Sequence, residues 1–155
     1  MTLNSEIEDF LLDLGALKVG FATIKTLSGG PPSTDITYLL SDARSVVSFA
    51  LPLNKDFIRE YLSKKNWKNH VLDNIKVNTD SIIVSDKLVT FLKEKGFSAK
   101  RPPAPGNFIT SVQEGDSSSK INQENLQYRQ EIPNWRLTFP PVLSHRYLAV
   151  RSGVG

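Results

Sequence analysis

Ser45-Val-Val-Ser-Phe-Ala-Leu51 decides how this chain folds. Every residue in it is apolar or small, which reads as a strand buried on both faces. Upstream, Leu17-Lys-Val-Gly-Phe-Ala-Thr-Ile24 alternates in polarity and reads as a second strand. Between them, Ser28-Gly-Gly-Pro-Pro-Ser33 is a loop, and Ser33 or Thr34 supplies a cap for a short helix running through Leu40. Two buried strands joined through a helix-bearing connection predict an α/β or α+β layered fold.

Working outward, the flanking segments carry helical signals. Ser5-Glu-Ile-Glu8 has the spacing of a capping box, and Ile7, Phe10, Leu11 and Leu14 recur at helical intervals before Gly15 stops the run. Lys55 to Lys65 predicts a helix with Phe57, Ile58, Tyr61 and Leu62 on one side. A longer helix is expected from near His70 to Lys95-Gly96. Its stripe of Ile75, Ile82, Val89 and Leu92 is widened by Val84, Leu88 and Phe91, and is read as core packing. Phe97 to Arg101 reads as a short strand ended by Pro102-Pro-Ala-Pro-Gly106. The polar, serine-rich run from Glu114 to Asn125 predicts a mobile loop or lid over 111–130. Pro140-Pro141 then leads into a last helix from about Leu143 to Arg151.

Composition narrows the function classes. At 155 residues, 39% hydrophobic and 23% charged, the chain is expected to form one soluble domain, residues 1–155. No apolar run approaches the ~20 residues that span a bilayer. The opening Met1-Thr-Leu-Asn-Ser-Glu6 carries an acid where a signal peptide carries bases, so the expected location is the cytoplasm. With no cysteine and only His70 and His145, these residues predict no disulfide, iron–sulfur ligation or metal site. The net charge of +3 is concentrated late: Arg129, Arg136, Arg146 and Arg151 face only Glu131 from residue 129 onward. Such a segment suits an anionic partner, nucleic acid such as tRNA included, or simply a solvated surface.

The last twelve residues, Ser144-His-Arg-Tyr-Leu-Ala-Val-Arg-Ser-Gly-Val-Gly155, hold the candidate site. His145, Arg146 and Arg151 fall within two helical turns, so a helix brings at least two of them toward one side. His145 titrates near neutrality, and the planar forks of Arg146 and Arg151 suit phosphate, carboxylate or amide oxygens. Ion pairs of either arginine with Asp42 or Glu131 are the structural alternative. Gly153 and Gly155 permit a tight turn and close approach of a ligand or another strand. If the proline loop folds back, Arg101 with Asn107 and Phe108 is expected to line the same cleft as this helix. Three weaker candidates accompany it: Ser28-Gly29-Gly30 as a phosphate cradle, the Asn74 and Asn78 pair, and Lys64-Lys65 with Trp67 and Lys68 as a base-stacking cluster.

Three segments taken in order carry a family resemblance. They are Leu14-Gly-Ala-Leu-Lys-Val-Gly-Phe-Ala22, Asp42-Ala-Arg-Ser-Val-Val-Ser-Phe-Ala-Leu-Pro52 and Pro141-Val-Leu-Ser-His-Arg-Tyr-Leu-Ala-Val-Arg-Ser-Gly-Val-Gly155. Together they resemble the N-terminal half of the epoxyqueuosine reductase-like proteins, relatives of the corrinoid-dependent reductive dehalogenases. The resemblance implies a nitroreductase-like layered sheet with flanking helices that helps hold cobalamin. It places Ser144, His145, Arg146, Arg151, Gly153 and Gly155 at the cofactor's edge. It also implies a ferredoxin-like domain with two four-iron four-sulfur clusters after the Gly-x-Gly turn, so the chain reads as a truncated oxidoreductase with an incomplete C-terminus, inactive alone. Where epoxyqueuosine reductases carry an acidic proton donor this sequence has Phe139, and His145 stands in place of the glutamate of their Glu-Arg pair; phenylalanine cannot donate a proton, which argues against epoxide reduction on tRNA. The alternative expectation is a non-catalytic module of nitroreductase-like fold that forms a homodimer or binds a ligand.

Overall fold

Leu17 and the strand that follows it pair with the apolar stretch at residues 45–51. In the computed structural model, which describes residues 2–102 and 143–155, β1 (Lys18–Thr23) lies antiparallel to β2 (Ser45–Ala50). The register runs from Lys18 opposite Ala50 to Thr23 opposite Ser45. Among the described residues the elements are mostly helical, an α+β arrangement around one two-stranded sheet. Contacts divide the chain into two compact units. The first comprises described residues 2–52, 84–102 and 143–155; the second comprises 53–83.

In the first unit the sheet is covered on both faces, and the alternation of the strands explains how. Val19 and Phe21 of β1 and Val47 and Phe49 of β2 pack against a core of Ile7, Leu11, Ala16, Val84 and Leu88. The intervening Ala22 and Val46 pack on the other side with Leu27, Ile36, Leu143 and Leu148. Successive side chains point to opposite faces, so six-residue strands serve two cores. Among the described residues the sheet has two strands. Ser45 of β2 is exposed and the next five residues are half-buried rather than enclosed, which corrects the expectation of full burial.

Helix α1 (Leu3–Asp13) starts three residues earlier than its sequence suggests. Thr2, not Ser5, is the N-cap: the Thr2 hydroxyl accepts from the Ser5 amide, and the Ser5 hydroxyl accepts from the Thr2 amide. Gly15, at φ +94°, ends the helix as expected, with Ala16 N donating to Leu11 O and Gly15 N to Leu12 O. Between the strands lie the short α2 (Ile24–Leu27) and two 3-10 turns, Pro32–Thr34 and Ile36–Tyr38. The single helix expected through Leu40 is interrupted at Asp35, whose carboxylate accepts from Thr37 N and so starts a new turn.

Helix α4 (Lys68–Glu94) covers the predicted long stripe, and its residues 84–94 belong to the first unit. Only Val84 and Leu88 of that stripe are fully buried. Phe91 stacks on Phe10 of α1 at 4.5 Å between ring centroids, and Lys95 pairs with Glu6. After Gly96 the backbone of Phe97 is used to close the helix, its amide donating to Leu92 O. No strand forms at 97–101, contrary to the sequence reading.

In the second unit, α3 (Lys55–Leu62) is capped by Asn54, whose side chain accepts from Asp56 N and Phe57 N. Asp73 of α4 accepts from Asn54 N at 2.7 Å, and the Tyr61 and His70 rings lie 4.7 Å apart. The apolar side of α3 buries no residue completely, and Leu62 is 72% exposed. The loop expected at 111–130 lies outside the described residues. No described helix is long and apolar enough to cross a membrane.

Candidate functional site

The last helix, α5 (His145–Arg151), is held from three directions. Ser144 accepts from Tyr147 N through its hydroxyl, and its own amide donates to Ser33 O at 2.9 Å. Leu148 buries itself in the core with Leu27 and Ile36. Past the helix, the Ser152 and Ser48 hydroxyls share a hydrogen bond of 3.1 Å. The docking is close enough to depend on Gly20 of β1: a Cβ there would stand 2.1 Å from Ser152 O. Gly30 likewise leaves room for the Tyr147 hydroxyl, which a Cβ would meet at 2.9 Å.

Gly153, at φ +79°, ends α5 by the same device that ends α1. Val154 N donates to Ala149 O and Gly153 N to Val150 O, so two otherwise orphaned carbonyls are satisfied. The left-handed conformation of Gly153 is thus accounted for by the helix stop. Gly155 follows with its backbone against Val150.

Fastening one face of α5 exposes the other. His145 and Arg146 occupy the first turn together, both exposed. Arg151 lies a turn and a half away, its guanidinium 5.9 Å above the Tyr147 ring. The three cationic positions are therefore split into a pair and a single. Neither Arg146 nor Arg151 forms an ion pair with another described residue, so the Asp42 alternative is not realised; Glu131 lies outside the described residues. Partial withdrawal from water lowers the pKa of the His145 imidazole below its ordinary 6.5, although much of the residue remains accessible. Near neutrality it is an uncharged donor and acceptor beside a permanent cation.

Beside α5 the first unit carries a cleft of about 410 Å³ whose walls include Leu143 and Leu148. Arg101 lines it too, as its sequence position suggested, and its Nε donates to Asp86 at 2.8 Å. Asn107, Phe108 and Phe139 lie outside the described residues.

The weaker candidates fare differently. The amides of Ser28 and Gly30 donate to the carbonyls of Lys25 and Leu27, so this loop is a helix exit rather than an open phosphate cradle. Asn78 donates to Asn74 across one helical turn at 2.8 Å. Lys64, Lys65, Trp67 and Lys68 sit at the corner between α3 and α4, with Trp67 67% exposed. Among the described residues, no cluster of histidine, aspartate and glutamate gathers at metal-binding distance.

Sequence reasoning overlooked Gly20 and Ser48 as determinants of this site. Gly20 left a signal: a glycine inside a strand weakens it unless another backbone comes close. Ser48 left none beyond its place in the alternation. Comparison with known protein families, curated proteins and solved structures returns no match for this chain.

Proposed function

We propose that this chain is the N-terminal, corrinoid-holding module of an iron–sulfur-dependent reductase of the epoxyqueuosine reductase-like kind. The nitroreductase-like layering of the fold is part of the same proposal. The observation that carries it is the anchoring of α5: the Gly20–Ser152 contact fixes the helix whose outer turn offers His145 and Arg146. The motif-bearing segments 14–22, 42–52 and 141–155 all contribute described residues to the first unit.

The donor set fits a large polar macrocycle. Arg146 and Arg151 present planar forks suited to amide and phosphate oxygens, and neutral His145 accepts or donates a single hydrogen bond. When bound, cobalamin supplies the electron exchange with substrate. The residues of this chain bind and orient the group and hold a proton at the His145 imidazole. Iron–sulfur clusters need thiolates, and these 155 residues contain no cysteine, so the electron relay belongs elsewhere in the protein.

Hydroxocobalamin titrated into the protein encoded by the full gene tests the proposal by its visible absorption. A band shift that weakens at least tenfold in His145→Ala with Arg146→Ala supports it. A spectrum identical to free cofactor at every protein concentration ends it.

A second reading has its own observation. Leu17 and Val150 in the first unit are 68% and 62% exposed. A homodimer that covers them makes the chain a non-catalytic interaction module. Mass rising with concentration in light scattering, without any cofactor shift, favours that reading.

A further inference from the structure

The corner between α3 and α4, within the second unit, gathers apolar and cationic side chains that the corrinoid reading leaves unused. From Tyr61 to Leu72 the sequence has no acid and three lysines, Lys64, Lys65 and Lys68, all exposed. In the same run Leu62, Trp67, Val71 and Leu72 are exposed apolar side chains. The turn is closed locally: Lys64 N donates to Tyr61 O, Lys65 N and Asn66 N to Glu60 O, and Lys68 N to the Asn66 side chain. Residues 64–68 are therefore held in one tight corner. Helical spacing then sets the two kinds of side chain next to each other. Trp67 and Val71 are four residues apart, as are Lys68 and Leu72, so two neighbouring rows open α4, and Val71 N donates to Trp67 O across the first of them.

The three lysines form no ion pair with another described residue. The acids that bracket the run are engaged elsewhere: Asp56 with Arg59, Glu60 with the Asn69 side chain, and Asp73 with Asn54 N. A second copy of the chain seated here by two-fold symmetry would set lysine against lysine, so the complementary partner is anionic. It is also apolar behind its charge. Leu62, Val71 and Leu72 are aliphatic and offer no face for base stacking, which leaves Trp67 alone to serve a nucleic acid. An anionic bilayer supplies both surfaces: headgroups for the ammonium groups, and the acyl boundary for indole and leucine. Lysine stems lie along apolar surface while their charges stay in water, which suits that depth.

We propose that the α3–α4 corner docks on membrane surfaces that carry anionic lipid, with Leu62 and Trp67 entering the interface and Lys64, Lys65 and Lys68 meeting the headgroups. This binding is peripheral and independent of cobalamin at α5.

The test is cosedimentation of the full chain with vesicles of phosphatidylcholine alone or mixed with phosphatidylserine. Binding is expected only to the mixed vesicles, and it should fall away in high salt. Lys64→Gln with Lys65→Gln and Lys68→Gln should weaken it roughly a hundredfold, and Trp67→Ala roughly tenfold. Lys25→Gln, in the first unit, should leave it unchanged. Each replaced side chain is exposed, so the unfolding midpoints should not move. Equal binding to both kinds of vesicle, binding to neither, or full binding in Trp67→Ala would overturn the proposal. So would RNA binding without vesicle binding, lost in Trp67→Ala, which assigns the corner to nucleic acid. A concentration-dependent mass lost in Trp67→Ala, again without vesicle binding, overturns it in favour of a second copy.

Discussion

Gly20 lies directly beneath Ser152: a Cβ built on the glycine would stand 2.1 Å from the Ser152 carbonyl oxygen and 2.8 Å from Val154. The obstacle is backbone, which no rotamer change relieves. The strand and the C-terminal turn can therefore meet only while residue 20 lacks a side chain. Gly20→Ala is expected to lose about 1–3 kcal/mol or more in urea unfolding. Gly15→Ala meets nothing within 4 Å, and its cost comes only from φ +94°, about 1 kcal/mol. A Gly20→Ala protein as stable as the parent would show that α5 does not dock on β1.

Leu11 is completely buried, and Leu62 is 72% exposed. Leu11→Ala should cost about 2–5 kcal/mol, because the cavity beneath α1 adds to the lost transfer energy. Leu62→Ala should stay within about 0.5 kcal/mol. Similar losses at both positions would mean that Leu62 is covered in solution, and light scattering on the two variants would show whether a second copy covers it.

The cap of α1 separates two accounts of its start. Thr2 and Ser5 exchange hydrogen bonds, whereas Glu8 belongs to the second turn. Thr2→Ala is expected to cost about 1 kcal/mol in thermal or urea unfolding. Glu8→Ala should be close to neutral. The reverse ranking would restore Ser5 as the cap.

His145 gives the fold a dependence on pH with a definite sign. Its folded pKa lies below the ordinary 6.5 because desolvation disfavours the imidazolium. Between the two values the unfolded chain binds more protons, so stability falls as pH drops through and below 6.5. The melting temperature should decline over that window, and His145→Gln should flatten the decline. An unchanged slope in the variant would assign the acid sensitivity to other groups.

Much of the local architecture was legible in the chain. The stops at Gly15 and Gly96, the strand positions and the last helix all follow from neighbours within a few residues, which is the range over which capping and alternation act. Two readings failed where local signals competed. Ser33 and Thr34 looked able to cap a helix, but Asp35 accepts from Thr37 and breaks the run into two turns. Phe97 to Arg101 had strand-like composition, yet Phe97 is drawn into closing α4. Gly153 permits a tight turn and close approach of a ligand or another strand, and its turn is the stop of α5, held by hydrogen bonds to the carbonyls of Ala149 and Val150.

What the sequence by itself determined is the set of elements and their ends: α1, the two strands, the long helix and α5, each specified by caps, periodicity and breakers. Only the tertiary structure decided that Gly20 and Ser48 hold the C-terminal turn, that His145 and Arg146 share a turn while Arg151 stands apart, and that Arg44, Arg101 and Leu148 line one cleft. Ser48 and Ser152 are 104 positions apart. A contact of that kind is a property of a pair of distant residues, set by how two packed layers fit, and neither residue carries it in its own neighbourhood.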